Sequence, residues 1–198
     1  MTQFTNRQIA IFHATGQIIL QEGWAGLTTK KIASQIGFTE GALYRHFKGK
    51  NEIISGLLIF IKQELDAVLS DVDPFLEPKE AFKTIFKVQF NFFTKSPYFL
   101  PILFSDTIAA GTRKLNIQFA SLTSLSTEYL LPVIEQAQKK GQFTNQLTSE
   151  NLLDIALGTF RLEILKWSKN QNKSNSIEKQ MLLINQLLLL FKKSSNEN

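Results

Sequence analysis

The 198-residue chain contains no cysteine. That removes disulfides and cysteine-zinc sites from consideration, and it is compatible with a reducing compartment. Only two histidines are present, His13 and His46, far apart and without metal-like partner spacing. Strand-like alternation is missing, so no glycine-rich phosphate loop follows a strand. Serine and threonine are plentiful, but no nucleophile motif surrounds them, and the carboxylates are scattered. The expectation is therefore no enzyme, no metal and no cofactor. Long apolar runs are absent too. The longest strongly apolar uncharged run, Met181 to Phe191, falls well short of the ~20 residues that span a bilayer. The opening MTQFTNRQ has no apolar h-region. These features predict a soluble cytoplasmic protein with no membrane partner.

What the chain does have is helical periodicity almost everywhere, divided by sparse glycine and proline. Gly23 and Gly26 follow a first helix, Gly37 separates two short ones, and Lys48-Gly49 ends the third. A longer helix is predicted over about 50–70, and Pro74 and Pro78 mark a loop, with Pro78 starting the next helix. Pro97 and Pro101 bracket a short apolar piece. One long helix is predicted over about 113–140, kinked at Pro132 and ended by Gly141. Another is capped by Thr148 or Ser149 and reaches about Ser168; KNQNKSNS reads as a polar loop, a last helix covers about 176–193, and SSNEN is a frayed tail. The fold class is all-α, about nine helices and no sheet.

Charge is uneven along the chain. Four of the five net positive charges fall in residues 1–50, where Arg7, Lys30, Lys31, Arg45, Lys48 and Lys50 face only Glu22 and Glu40. A basic first quarter points to a polyanion. There, Ile11, Ala14, Thr15, Ile18 and Ile19 line one side of the first helix. Thr28 or Thr29 can cap the second, which turns Ile32, Ala33 and Ile36 inward, and Thr39 can cap the third, which buries Leu43 and Phe47. Two helices joined by a short glycine-containing turn, the second exposed and basic, describe a helix-turn-helix whose second helix enters the major groove. Gly41 weakens that helix by about 1 kcal/mol relative to alanine. Gly41 and Ala42 would let its backbone approach DNA, with Tyr44, His46 and Lys50 on phosphates and Thr39, Arg45 and Lys30 on bases or phosphates.

The stretch TTKKIASQIGFTEGALYRHFKGKNEII resembles the DNA-binding signature of the TetR family of transcriptional regulators. The matching elements are Thr28, Thr29, Ile32, Ala33, Gly37, Gly41, Leu43, Tyr44, His46, Phe47 and Lys50, with Ile11, Ala14, Ile18 and Gly23 upstream. Thr15 stands where alanine is usual, Gln21 where glutamate is usual, and Glu40 adds a negative charge to the recognition helix. Glu40 either accepts from a cytosine amino group or penalises non-specific binding. The resemblance implies an all-helical homodimer on a roughly palindromic DNA operator, usually as a repressor. It implies phosphate contacts at Thr29, Tyr44, His46 and Lys50, and a surface near base edges at Lys30, Thr39, Glu40, Gly41, Ala42 and Arg45. The implied division is a helix-turn-helix DNA-binding domain over 1–50 and a ligand-binding and dimerisation domain over 51–198.

Beyond residue 60 the resemblance is architectural. Eleven of the 17 phenylalanines lie between residues 75 and 160. Ordinary core packing explains any one of them. As a group they suit an effector pocket for a small apolar or aromatic ligand, with candidates Phe86, Phe90, Phe93, Phe104, Ile108, Phe119, Leu122 and Phe160. The last two helices are apolar on most sides and need cover all round. Phe160, Ile164, Trp167, Leu183, Leu187 and Leu190 are the residues expected near a homodimer interface, the alternative being that they fill the monomer core. Two other readings stay open: a DNA-binding protein of this fold without an effector, and a ligand carrier with a vestigial helix-turn-helix.

Overall fold

The computed structural model describes residues 3–105, 108, 111–169 and 176–193. Most of the expected KNQNKSNS loop and the SSNEN tail lie outside these residues. Among the described residues the chain is helical and has no strand, only an isolated bridge between Phe143 and Lys192. The helices are α1 (Asn6–Gly26), α2 (Thr29–Gln35), α3 (Glu40–Tyr44), α4 (Lys50–Ser70), α5 (Pro78–Lys95), α6 (Leu100–Leu103), α7 (Arg113–Thr123), α8 (Leu125–Lys139), α9 (Ser149–Lys169) and α10 (Ser176–Phe191). A 3-10 turn, Pro97–Phe99, precedes α6.

Hydroxyl caps set five of the starts, because a side-chain oxygen can take up an otherwise orphan N–H of the first turn. Thr5 and Gln8 form a reciprocal capping box on α1. Thr28 accepts from the Lys31 amide at 3.2 Å, Thr39 from Ala42 at 3.2 Å and Thr148 from Asn151 at 3.2 Å. At the end of α2 the Phe38 amide donates to Ala33 at 2.8 Å and the Gly37 amide to Ser34 at 3.2 Å. Gly37 takes φ 69°, the left-handed conformation that this closure requires.

The expected single helix over 113–140 is two helices, and the break is not at Pro132. It falls at Ser124, between α7 and α8. There the Thr123 hydroxyl donates back to the carbonyls of Phe119 and Ala120, and the Ser124 hydroxyl to that of Ser121. Such hydroxyl-to-backbone bonds compete with the helical ladder. Pro132 is accommodated inside α8.

The described chain forms two compact units, residues 1–66 with 96–124 and residues 67–95 with 125–198. This spatial division does not run at residue 50. In the first unit Phe12 meets Phe47 and Phe60, each at 5.5 Å between ring centroids, and Phe60 meets Phe99 at 6.2 Å. Gly56 makes room for Phe12, since a Cβ there would lie 2.8 Å from its ring. The 3-10 turn docks on α1 in the same way: a Cβ at Gly16 would lie 2.9 Å from the Tyr98 ring and 3.2 Å from its carbonyl oxygen. Tyr98 hydrogen-bonds His13 Nδ1 through its hydroxyl at 2.9 Å. Burial holds the His13 pKa below the usual 6.5, with Glu64 pulling weakly the other way.

In the second unit the stripe Phe82, Phe86, Phe90 and Phe93 of α5 is fully buried. Phe82 meets Phe86 at 4.9 Å, Phe143 at 5.8 Å and Phe191 at 6.1 Å. Phe160 of α9 lies 5.3 Å from Phe86 and 6.0 Å from Phe90. Inside this aromatic core Gln89 accepts from the Ser126 hydroxyl at 2.7 Å.

Candidate nucleic-acid interface

Helices α2 and α3 present one polar surface. Leu43 is the buried residue of α3, and it anchors the helix with Phe47 just beyond it. Glu40, Gly41, Tyr44 and Arg45 are exposed, and Ala42 is half-buried. Lys30, Thr39 and Lys50 are exposed, and Thr29 is half-buried. Ten residues expected at DNA are Thr29, Lys30, Thr39, Glu40, Gly41, Ala42, Tyr44, Arg45, His46 and Lys50. Three of them are joined directly: the Thr29 hydroxyl donates to Glu40 Oε1 at 2.8 Å and lies 3.5 Å from the Tyr44 hydroxyl. His46 stacks on Phe38 at 6.2 Å, and the Arg7 guanidinium sits 5.3 Å from the centre of the same ring on α1's side. Arg7 was not among the expected residues; a basic side chain at the start of α1 gave no local pattern that distinguished it.

Gly41 is the informative residue. A Cβ built there would meet nothing of this chain except Thr39 Oγ1 at 3.9 Å. No crowding within the fold requires glycine at this position, although glycine costs helix stability. Gly41 is exposed, so the open space is on the solvent side of α3.

The residues expected to line a ligand pocket divide between the units. Phe86, Phe90, Phe93 and Phe160 belong to the second unit. There Phe86, Phe90, Phe160, Glu163, Met181, Leu183 and Ile184 surround a cavity of about 10 Å³, room for about one water molecule. Phe104, Ile108, Phe119 and Leu122 belong to the first unit, with Ile108 and Leu122 buried and the two phenylalanines half-buried.

Of the six residues expected near a second copy, Ile164, Trp167 and Leu187 are buried within their own unit, and Phe160 and Leu183 are half-buried. Leu190 is 75% exposed. Exposed beside it in sequence and spacing are Leu182 and Leu189 on α10, and Ile155 and Leu162 on α9. The seven-residue spacings 155–162 and 182–189 each mark one stripe of a helix. Sequence reading missed them because α9 and α10 are apolar on several sides, and periodicity alone does not say which stripe meets the chain's own core. Gly158, between Ile155 and Leu162, has open space where its Cβ would be. Among the described residues no helix is long and apolar enough to cross a membrane.

Residues 11–57 match the family model described as bacterial regulatory proteins, tetR family. Among curated relatives, the nucleoid occlusion factor SlmA of Marinomonas sp. is 27% identical over 141 residues, covering 68% of this chain and 69% of that protein. Among solved structures, the ketosteroid transcriptional regulator KstR2 of Mycobacterium tuberculosis superposes with a TM-score of 0.82 at 18% identity, covering 97% of this chain and 98% of that one. The transcriptional regulator FadR of Bacillus subtilis, solved in complex with stearoyl-CoA, superposes with a TM-score of 0.74 at 18% identity, covering 93% and 97%.

Proposed function

We propose, from the premise that this chain belongs to the TetR family of DNA-binding regulators, that it is a repressor released from a palindromic operator by a small apolar ligand. Residues 1–50 grip the DNA, and residues 51–198 bind the ligand and pair two copies in the cytoplasm. The observation that supports the DNA contact is Gly41, exposed on α3, where a Cβ would meet nothing of this chain but Thr39 Oγ1. Each copy lays α3 in a major groove, about one helical turn or a related distance from its partner. Thr29, Tyr44, His46 and Lys50 take phosphates, and Lys30, Thr39, Glu40, Gly41, Ala42 and Arg45 lie near base edges. The exposed stripe of Ile155, Leu162, Leu182, Leu189 and Leu190 supports pairing through α9 and α10.

The phenylalanines Phe86, Phe90 and Phe160 support an effector with an apolar part, and stearoyl-CoA, held by the Bacillus subtilis FadR, is the first ligand to try, its acyl chain being apolar and its CoA head anionic. A ligand that favours a conformation with the wrong spacing between recognition helices weakens operator binding, with a coupling of ~1–3 kcal/mol. The test is fluorescence anisotropy on the DNA flanking the gene, against a scrambled duplex, with and without stearoyl-CoA. Specific binding that survives moderate salt and weakens with ligand supports the proposal. Weak, equal binding to both duplexes that disappears with salt leaves only the phosphate contribution and counts against it.

A second reading keeps the DNA contact and drops the effector. Two observations favour it: the cavity of about 10 Å³ leaves little room for a ligand, and the curated relative is named for nucleoid occlusion. Under this reading no apolar ligand raises the melting temperature, whereas an effector present at 100 times its Kd would stabilise the fold by about 2.7 kcal/mol.

A further inference from the structure

We propose that Glu40 is a specificity-determining residue: its carboxylate holds the Thr29 hydroxyl in the free protein and is compensated on DNA only where the groove offers a cytosine amino group. This rests on the DNA-binding reading above. The first residues of α2 and α3 are brought together, so that the Thr29 hydroxyl donates to Glu40 Oε1 at 2.8 Å. The Tyr44 hydroxyl, one turn along α3 from Glu40, lies 3.5 Å from Thr29 Oγ1. Thr29 and Tyr44 are two of the groups assigned to phosphate. A hydroxyl has one proton, so while Thr29 gives it to Glu40 it cannot give it to a phosphate oxygen.

A phosphate that takes this proton brings negative charge beside the carboxylate. The surroundings do not neutralise Glu40: the other acid of the first fifty residues, Glu22, pairs with Lys31, whereas Glu40 has no ion pair among the described residues. Docking therefore displaces the carboxylate or sets it against the phosphate. On arbitrary DNA nothing repays that cost. A cytosine N4 amino group is a major-groove donor that a glutamate accepts from, and Glu40, exposed on the first turn of α3, is free to swing to it. The charge then suppresses unspecific association and favours one base pair in each half-site.

The competing role is purely structural, a tie between α2 and α3. Removing such a tie would weaken binding to every duplex alike. The experiment is in vitro selection from a random duplex pool with the wild-type protein, Glu40→Ala and Glu40→Gln. Anisotropy follows on the selected site and on a random duplex, with circular dichroism melting as the folding control. Wild-type sites are expected to share a C·G pair at one symmetric position. Glu40→Ala should lose that preference and bind the random duplex about fivefold tighter, the value of one contact-distance charge in water. Glu40→Gln should move the preference towards A·T, since glutamine pairs with adenine. The proposal is overturned if Glu40→Ala keeps the cytosine preference, or binds the random duplex no tighter than wild type. If the wild-type protein selects no sequence at all, the DNA-binding reading has failed and takes this proposal with it.

Discussion

Helices α3 and α5 use their side chains in opposite ways. Helix α5 buries Phe82, Phe86, Phe90 and Phe93, and each makes a ring contact within the second unit. Helix α3 buries Leu43, half-buries Ala42 and exposes Glu40, Gly41 and Tyr44. Nothing inside the fold explains the glycine at 41 or the exposed arginine at 45. A residue accounted for by its own chain needs no partner, and one left over points outside. The aromatic stripe therefore reads first as stability, and the α2–α3 surface reads as function.

Several substitutions would break or sharpen that contrast. Phe82→Ala should cost about 3–5 kcal/mol, because it empties a site between three other rings; urea unfolding measures it. A loss under about 1 kcal/mol would mean that the stripe is loosely packed, and would favour an open pocket. Gly16→Val should cost about 1–3 kcal/mol in the same assay, since the added atoms meet both the ring and the backbone of Tyr98.

On the outward surface the expected effects move to binding. Lys50→Ala should leave stability within about 0.5 kcal/mol. It should weaken binding to operator and random duplex by similar factors and reduce the salt slope by about 1. Gly41→Ala separates the two currencies. The helix should gain up to about 1 kcal/mol, because the new methyl group meets nothing in the chain, while operator affinity falls. A variant that is more stable and binds DNA equally well would remove the main support for close approach at this residue.

The smallest effect concerns pH. His13 is held below its usual pKa by burial, so the unfolded chain binds its proton more readily than the folded one. Stability from this group is fully present above pH 6.5 and declines as pH falls from there to the lowered value. His13→Asn should flatten that part of the stability-against-pH curve, measured by urea unfolding across the window.

The starts of α2, α3 and α9 and the end of α2 were legible because their signals are local. Thr28, Thr39 and Thr148 cap helices three residues away, and Gly37 closes α2 through its own φ, so neighbours in sequence suffice. The break between α7 and α8 was not legible, although its hydroxyl bonds are also local. Thr123 and Ser124 could equally have pointed to solvent from a continuous helix, and Pro132 carried the stronger signal.

By itself the sequence determined the all-helical class, most helix starts, and the helix-turn-helix with its exposed basic face. Each of these depends on hydrogen bonds and periodicities that span only a few residues. Tertiary structure alone decided that Ile164 and Leu187 turn inward while Leu189 and Leu190 stay out, that the phenylalanines of the second unit close to a cavity of about 10 Å³, and that Glu40 reaches back eleven residues to Thr29. A helix apolar on several sides has equivalent faces until a neighbour packs against one, and a side chain finds a distant partner only when the turn between their helices sets the angle.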